Sequence, residues 1–272
     1  DSDHDGAKGM VLIYFARDLD DIAPLTAIED ADVIVYGEEA GDRFGQNIAL
    51  GDMNGDGRDE LLVSAPRAFG WQGTRRWSGE VYILSGRDRS EFPSKIWIGK
   101  TSLYGHIYGR DALDQIGLRM TMGDLTGDGR DELVLGTNGA GGFGGTSEFH
   151  ADYENNAPNS WEIEVIEGTG SPVGTILLER DIKMVRYFSS WNSTLTPPDT
   201  HARHIGTGMD VSDFNGDGIG DLIFSWSKME GPSTIESLVS TQVEIIRGGP
   251  GFPHVLINTT IDIVIPTFEP NL

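Results

Sequence analysis

Apolar and polar positions alternate in three separated stretches, Gly79 to Leu84, Trp161 to Ile166 and Thr241 to Ile246. A period of two with β-branched enrichment is the pattern of a strand whose faces look in opposite directions. A fourth stretch of the same kind, Gly9 to Phe15, lies near the start. Each is followed by another apolar run, at Ala31 to Tyr36, Lys95 to Gly99, Ile182 to Tyr187 and Ile261 to Ile265, which predicts a further strand. No segment keeps the 3.6-residue period of an amphipathic helix, so the chain reads as all-β.

The strands fall into a repeat. Gly51 to Val63 reads G-D-M-N-G-D-G-R-D-E-L-L-V, Gly123 to Leu135 reads G-D-L-T-G-D-G-R-D-E-L-V-L, and Ser212 to Phe224 reads S-D-F-N-G-D-G-I-G-D-L-I-F. Ahead of these acidic loops stand lead-ins ending in glycine: Asp42-Arg43-Phe44-Gly45, Asp114-Gln115-Ile116-Gly117 and Arg203-His204-Ile205-Gly206. The order predicts two strands and then three units of four, about 14 in all, or about three and a half four-stranded blades of a β-propeller. The expected division is a partial blade in residues 1–36 and repeats at about 37–99, 100–187 and 188–272. An open arc would leave apolar faces and strand edges in water, so another chain or further blades are expected to close the ring.

The acidic loops carry the clearest chemistry. Positions 1, 3 and 5 hold oxygen-bearing side chains: Asp52, Asn54 and Asp56; Asp124, Thr126 and Asp128; Asp213, Asn215 and Asp217. Position 6 is glycine (Gly57, Gly129, Gly218), position 9 is acidic (Glu60, Glu132, Asp221), and the backbone carbonyl of position 7 (Arg58, Arg130, Ile219) can add a ligand. Alternate oxygens on a tight loop converge on one point, and hard oxygens without His or Cys select Ca²⁺. The helix-loop-helix calcium hand needs Glu at position 12, where this chain has Val63, Leu135 and Phe224. A plain turn is the competing reading, because Asn-Gly and Asp-Gly are turn formers. Three copies, each with a later carboxylate at the same offset, favour three Ca²⁺ sites, the second weakest because Thr126 is its poorest ligand. The expected role of the metal is structural, neutralising carboxylates that would otherwise repel.

Taken in order, the Phe-Gly lead-in, the D-x-N-G-D-G loop, Leu61-Leu62-Val63-Ser64-Ala65-Pro66 and Gly79-Glu80-Val81-Tyr82-Ile83 resemble the FG-GAP repeat of integrin alpha-subunit heads and related propellers. The resemblance runs over nearly the whole chain and is best in the first unit; Leu135-Gly136-Thr137 and Phe224-Ser225-Trp226 depart from the pattern in the other two. It implies a propeller of about seven blades, with calcium on the loops of one face and partner recognition elsewhere.

Charge and composition narrow the function. With 43 Asp+Glu against 20 Lys+Arg the formal charge is -23, which repels phosphate backbones and attracts cations, so no nucleic-acid partner is expected. An apolar content of 38% supports a core, and the absence of Cys removes disulfides, thiolate zinc sites and thiol catalysis. No apolar run is long enough to span a membrane, and the acidic start, Asp1 to Asp5, reads as already processed. There is no Gly-x-Ser-x-Gly elbow; Gly99-Lys100-Thr101 has Ser94 where a phosphate loop needs glycine; His201 and His204 lack a zinc-protease helix. A glycosidase carboxylate pair stays open. Asn192-Ser193-Thr194 and Asn258-Thr259-Thr260 match the glycosylation sequon and support secretion weakly.

Connections in an up-and-down blade alternate between faces, so the acidic loops share one face with the third-to-fourth-strand turns. The opposite loops are aromatic: Phe69, Trp71 and Trp77; Tyr104, His106 and Tyr108; Phe143, Phe149, His150 and Tyr153; and Trp191, with the glycine-rich Gly139 to Gly145 among them. They predict where a protein partner or glycan binds, inward folding of single rings being the alternative. The resulting expectation is a calcium-binding, extracellular or secreted, non-catalytic interaction and adhesion platform. A lectin-like propeller and a polysaccharide-degrading propeller enzyme are the alternatives.

Overall fold

The computed structural model describes residues 8–15, 28–102, 105–110, 112–137, 162–172, 174–178, 184–188, 202–230, 237–252, 255–257 and 263–266. The partial blade supplies β1 (Met10–Ile13) and β2 (Val33–Tyr36). The first repeat supplies β3 (Ile48–Gly51), β4 (Glu60–Ala65), β5 (Glu80–Leu84), β6 (Lys95–Trp97) and, beyond the expected boundary at residue 99, β7 (Gly105–Tyr108). The second supplies β8 (Arg119–Gly123), β9 (Glu132–Gly136), β10 (Glu162–Ile166), β11 (Gly174–Leu177) and β12 (Met184–Phe188). The third supplies β13 (Ala202–Ser212), β14 (Asp221–Glu230), β15 (Ser237–Ile246), β16 (Val255–Ile257) and β17 (Ile263–Pro266).

Each repeat forms an antiparallel up-and-down sheet, β3-β4-β5-β7, β8-β9-β10-β12 and β13-β14-β15-β17, as a propeller blade requires. The remaining strands share one behaviour. β6, β11 and β16 all lie in the third-to-fourth-strand connection of their repeat, and each crosses back to pair parallel with the outer strand of the preceding sheet: β6 with β2, β11 with β7, and β16 with β12. The partial blade and the first two full blades are thus each clasped by the next one.

This corrects one expectation. Lys95 to Gly99 reads in the sequence as the final strand of the first repeat, but that place belongs to β7, paired antiparallel with β5, while Lys95–Trp97 lies on the partial blade. Burial explains the exchange. In β6 only Ile96 is buried, whereas β7 carries Ile107 into the core between the first two sheets. Trp97 instead stacks on Tyr36 of β2, with ring centroids 4.2 Å apart and planes 13° from parallel.

Three apolar clusters lie between successive sheets, and the period of two distributes each strand between two of them. Val63 and Tyr82 face the partial blade, with Val35, Phe44 and Ile96. Their neighbours Leu62, Val81 and Ile83 face the second sheet, with Leu133 and Leu135. Val134, Ile163 and Val165 face the third, with Leu222, Phe224 and Ile246. Burying each such side chain contributes roughly 1.5–3 kcal/mol, so the blades cohere through their faces.

Candidate calcium loops and the opposite rim

The loop between the first two strands of each sheet closes on its own first aspartate. Asp52 Oδ1 accepts the N–H groups of Gly55 (2.7 Å) and Asp56 (3.1 Å), and Oδ2 accepts that of Gly57 (2.8 Å). Asp124 takes Gly127, Asp128 and Gly129 in the same way, and Asp213 takes Gly216, Asp217 and Gly218. The glycine at position 6 is required by its backbone: φ is +84° at Gly57 and Gly129 and +89° at Gly218. The Asp56 N–H also reaches Asn54 Oδ1 at 2.7 Å, and the Asp217 N–H reaches Asn215 Oδ1 at 2.8 Å. The first and third oxygens therefore gather around one positive dipole. Position 5 accepts from position 7 in each loop: Asp56 from Arg58, Asp128 from Arg130, and Asp217 from Ile219.

The ninth-position acids lie behind the loops rather than at their tips. Glu60, Glu132 and Asp221 are buried, and each accepts the N–H of position 2: Met53 (3.0 Å), Leu125 (2.8 Å) and Phe214 (3.1 Å). Their second oxygens accept from Gly86, Gly168 and Gly248, each two residues beyond the third strand of its sheet. Those positions need glycine, because a Cβ there would meet the Asp59, Asp131 or Gly220 carbonyl oxygen at 2.5, 2.9 and 2.0 Å. Burial, above all, raises Glu132 to about 7 and Glu60 in the same direction, opposed by these N–H bonds and reinforced by nearby aspartates. In the first loop Asn54 Nδ2 donates to Glu60 Oε1 at 3.0 Å, which joins positions 3 and 9.

Adjacent loops are stitched together. Asp131 donates its N–H to the Asp52 carbonyl (3.0 Å) and accepts the Asp52 N–H on its carboxylate (2.9 Å); Gly220 donates to the Asp124 carbonyl (2.8 Å). Side chains at position 7 lie over the glycine at position 4 of the preceding loop, Arg130 by Gly55 and Ile219 by Gly127. Met53 and Leu125, at position 2, are fully buried in the cluster shared with the following sheet. Phe214 holds the same position in the last loop and is 57% exposed.

Among the described residues no three acidic or histidine side chains are gathered into a finished cage. The donor set nonetheless fits a hard cation: each loop offers carboxylate, amide or hydroxyl oxygens at positions 1, 3 and 5. Thr126 Oγ1 is a buried oxygen with no hydrogen-bond partner.

At the other end of the first full sheet a column of rings runs inward from the rim. Trp71 meets Tyr108 edge-on at 5.2 Å, Tyr108 lies 4.0 Å from His106, His106 lies 4.3 Å from Tyr82, and Tyr82 meets Phe44 at 5.7 Å. His106 and Tyr108, read in the sequence as loop aromatics, are residues of β7, drawn into the sheet by the burial of Ile107 between them. Glu80, buried beneath them, accepts the Tyr82 hydroxyl at 2.8 Å and lies 2.8 Å from His106 Nε2. Burial and the Glu80 charge push Tyr108 up to about 12 and Tyr82 further still. Asp42 rises to about 6, chiefly through burial and then through Glu80, Glu39 and Glu38. Sequence reasoning missed Glu80, although its place two residues before Tyr82 puts both on one strand face. Tyr104, Phe143, Phe149, His150, Tyr153, Trp191, His201, the Gly139 to Gly145 stretch and both sequon asparagines, Asn192 and Asn258, lie outside the described residues. Among the described residues no helix is long and apolar enough to cross a membrane.

Residues 44–84, from the lead-in phenylalanine to the end of β5, match the FG-GAP repeat. The first repeat is thus an FG-GAP repeat within a β-propeller fold, and the chain is similar to integrin alpha subunits. It is 33% identical to human integrin alpha-IIb over 116 residues, 41% of this chain and 10% of that protein. It is 26% identical to a phosphatidylinositol-glycan-specific phospholipase D of Dictyostelium discoideum over 165 residues, 54% of this chain and 17% of that protein. The rhamnogalacturonan lyase YesW is a looser likeness, with a TM-score of 0.37 at 12% identity over 76% of this chain and 40% of that one. The chain thus spans under a fifth of the length of these two sequence relatives.

Proposed function

We propose that this chain is a non-catalytic, calcium-stabilised propeller segment that works outside the cell as a protein-interaction platform. The observation that carries this reading is the same oxygen-bearing loop in three adjacent blades, each backed by a buried carboxylate. Ca²⁺ would be held by Asp52, Asn54, Asp56 and Glu60 with the Arg58 carbonyl, and by the matching sets Asp124, Thr126, Asp128, Glu132, Arg130 and Asp213, Asn215, Asp217, Asp221, Ile219. Bound there, the ion supplies positive charge that offsets the crowded carboxylates. Loops of this kind in extracellular modules bind with Kd of about 10⁻⁴–10⁻³ M, which suits calcium levels outside the cell.

Further blades or a second chain complete the ring in this proposal. Its support is Phe214, exposed where Met53 and Leu125 are covered by a following blade.

The test is thermal unfolding with and without EGTA, beside calorimetric titration of the metal-free chain with calcium. Stabilisation by a ligand that binds only the folded state predicts a melt lower by several degrees after chelation. An unchanged melt with no heat of calcium binding would remove the proposal.

A further inference from the structure

We propose that the β4–β5 loop, residues 66–79, is an arginine–tryptophan clamp for an acidic segment of a partner protein. The proposal rests on the interaction-platform reading and adds the place and the partner's chemistry.

The guanidinium carbons of Arg67 and Arg76 lie 4.9 Å and 4.2 Å from the centre of the Trp77 indole ring. Among the described residues neither arginine forms an ion pair, in a chain where acids outnumber bases 43 to 20. From Pro66 to Gly79 the sequence has Arg67, Arg75 and Arg76 and no acid or lysine. The same sheet carries Asp52, Asp56, Asp59 and Glu60 at its other end, while at the clamp's end Glu80 and Asp42 are buried and Glu38 and Glu39 lie near them.

The clamp is held in place by both neighbouring lead-ins. Arg67 donates its N–H to the Asp42 carbonyl (3.0 Å), while the Arg76 and Trp77 carbonyls accept from Leu113 (2.9 Å) and Gln115 (3.0 Å). Trp77 has φ +56°, a region bulky residues seldom occupy, and Gln72 in the same loop has φ +61°. Strain of this kind persists where the surroundings enforce it and clusters at functional sites. The arginines are therefore positioned before any partner arrives, which lowers the ordering cost of binding.

A guanidinium matches a carboxylate in geometry and charge. Beside them Phe69 and Trp71 stand exposed, Trp71 braced edge-on by Tyr108. Trp, Phe and Arg without Lys or acid is the composition of a protein–protein hot spot. A neutral sugar offers no charge for the guanidiniums to meet and would lean on the loop's hydroxyl and amide groups. The Thr74 hydroxyl is taken by the Trp71 carbonyl (3.0 Å) and Ser78 is buried, which leaves Gln72.

The test is fluorescence anisotropy with a fluorescein-labelled peptide of alternating Glu and Tyr, its Gln/Tyr counterpart, and polygalacturonate, all in calcium-containing buffer. The Glu peptide is expected to bind at least about tenfold tighter than the Gln peptide, and to weaken about tenfold or more with the Arg67→Gln/Arg76→Gln variant and in high salt. The melting temperature and its response to chelation should stay as in the parent. If the double variant does not fold, Arg76→Ala, at an exposed side chain, serves in its place. Equal binding of both peptides, no binding by the folded parent, or binding unchanged in the variant overturns the clamp. Preference for polygalacturonate over the Glu peptide, lost in the variant, also overturns it by reassigning the loop to acidic sugars. Failure of the platform reading is read separately, from a melt that ignores calcium.

Discussion

Glu132 Oε2 accepts the backbone N–H of Leu125 at 2.8 Å, so a carboxylate at the start of one strand anchors a residue packed against the next blade. Its other oxygen reaches Gly168 at 3.4 Å, beyond the third strand of the same sheet. The ninth-position acid is thus a joint between loop, sheet and neighbouring blade as well as a proposed ligand. Glu132→Ala leaves the buried N–H of Leu125 without a partner and should cost about 2–4 kcal/mol, one or two lost partners at about 1–3 kcal/mol each. Denaturant unfolding in EGTA checks this without metal. A loss below about 0.5 kcal/mol would contradict the joint.

Position 2 of the loops separates filled interfaces from an open one. Met53→Ala and Leu125→Ala should each destabilise the chain by about 2–5 kcal/mol, the usual cost of truncating a buried large apolar side chain. Phe214→Ala should change the stability of this chain by under about 1 kcal/mol, because Phe214 is 57% exposed. The three unfolding midpoints compared side by side decide it; equal losses would mean that Phe214 is already covered.

Asp42 makes stability depend on pH in a stated direction. Its carboxyl rises from 3.8 to about 6, through burial first and then through Glu80, Glu39 and Glu38. The folded state holds that proton more tightly than the unfolded state. The contribution is therefore complete below pH of about 4 and is lost as pH rises through about 6. Asp42→Asn should melt with the parent near pH 4 and above it near pH 7. Parallel melting profiles across that range would refute the assignment.

The second loop tests the metal chemistry. Thr126 offers a hydroxyl oxygen that is buried and unpartnered, where the other loops carry Asn54 and Asn215. Thr126→Asp should destabilise the chain in EGTA, by adding charge beside Asp124 and Asp128, and should tighten calcium binding at that loop on the order of tenfold. Calorimetry of the parent and the variant measures both; no gain in affinity would argue against a cation among these oxygens.

Much of the architecture was legible because it repeats. The loops beginning at Asp52, Asp124 and Asp213 are strong local signals: their glycines have positive φ and their first aspartates cap the turn in all three copies. Lys95 to Trp97 and Gly105 to Tyr108 were not separable in this way. Both are short mixed runs, and only the shape of the neighbouring blade assigns one to the clasp and the other to the sheet. The same limit hid the pairing of Glu80 with His106, which meet across two strands 26 residues apart.

The sequence by itself determined the all-β class, the places of the alternating strands and the threefold set of acidic loops, because each depends on spacing within a few residues. Tertiary structure alone decided that β6, β11 and β16 reach back to the preceding sheet, that Met53 and Leu125 are buried while Phe214 is not, and that Arg67 and Arg76 both reach the Trp77 indole. Those outcomes depend on which surfaces are left for a side chain to cover once the sheets have packed, and no local pattern records that.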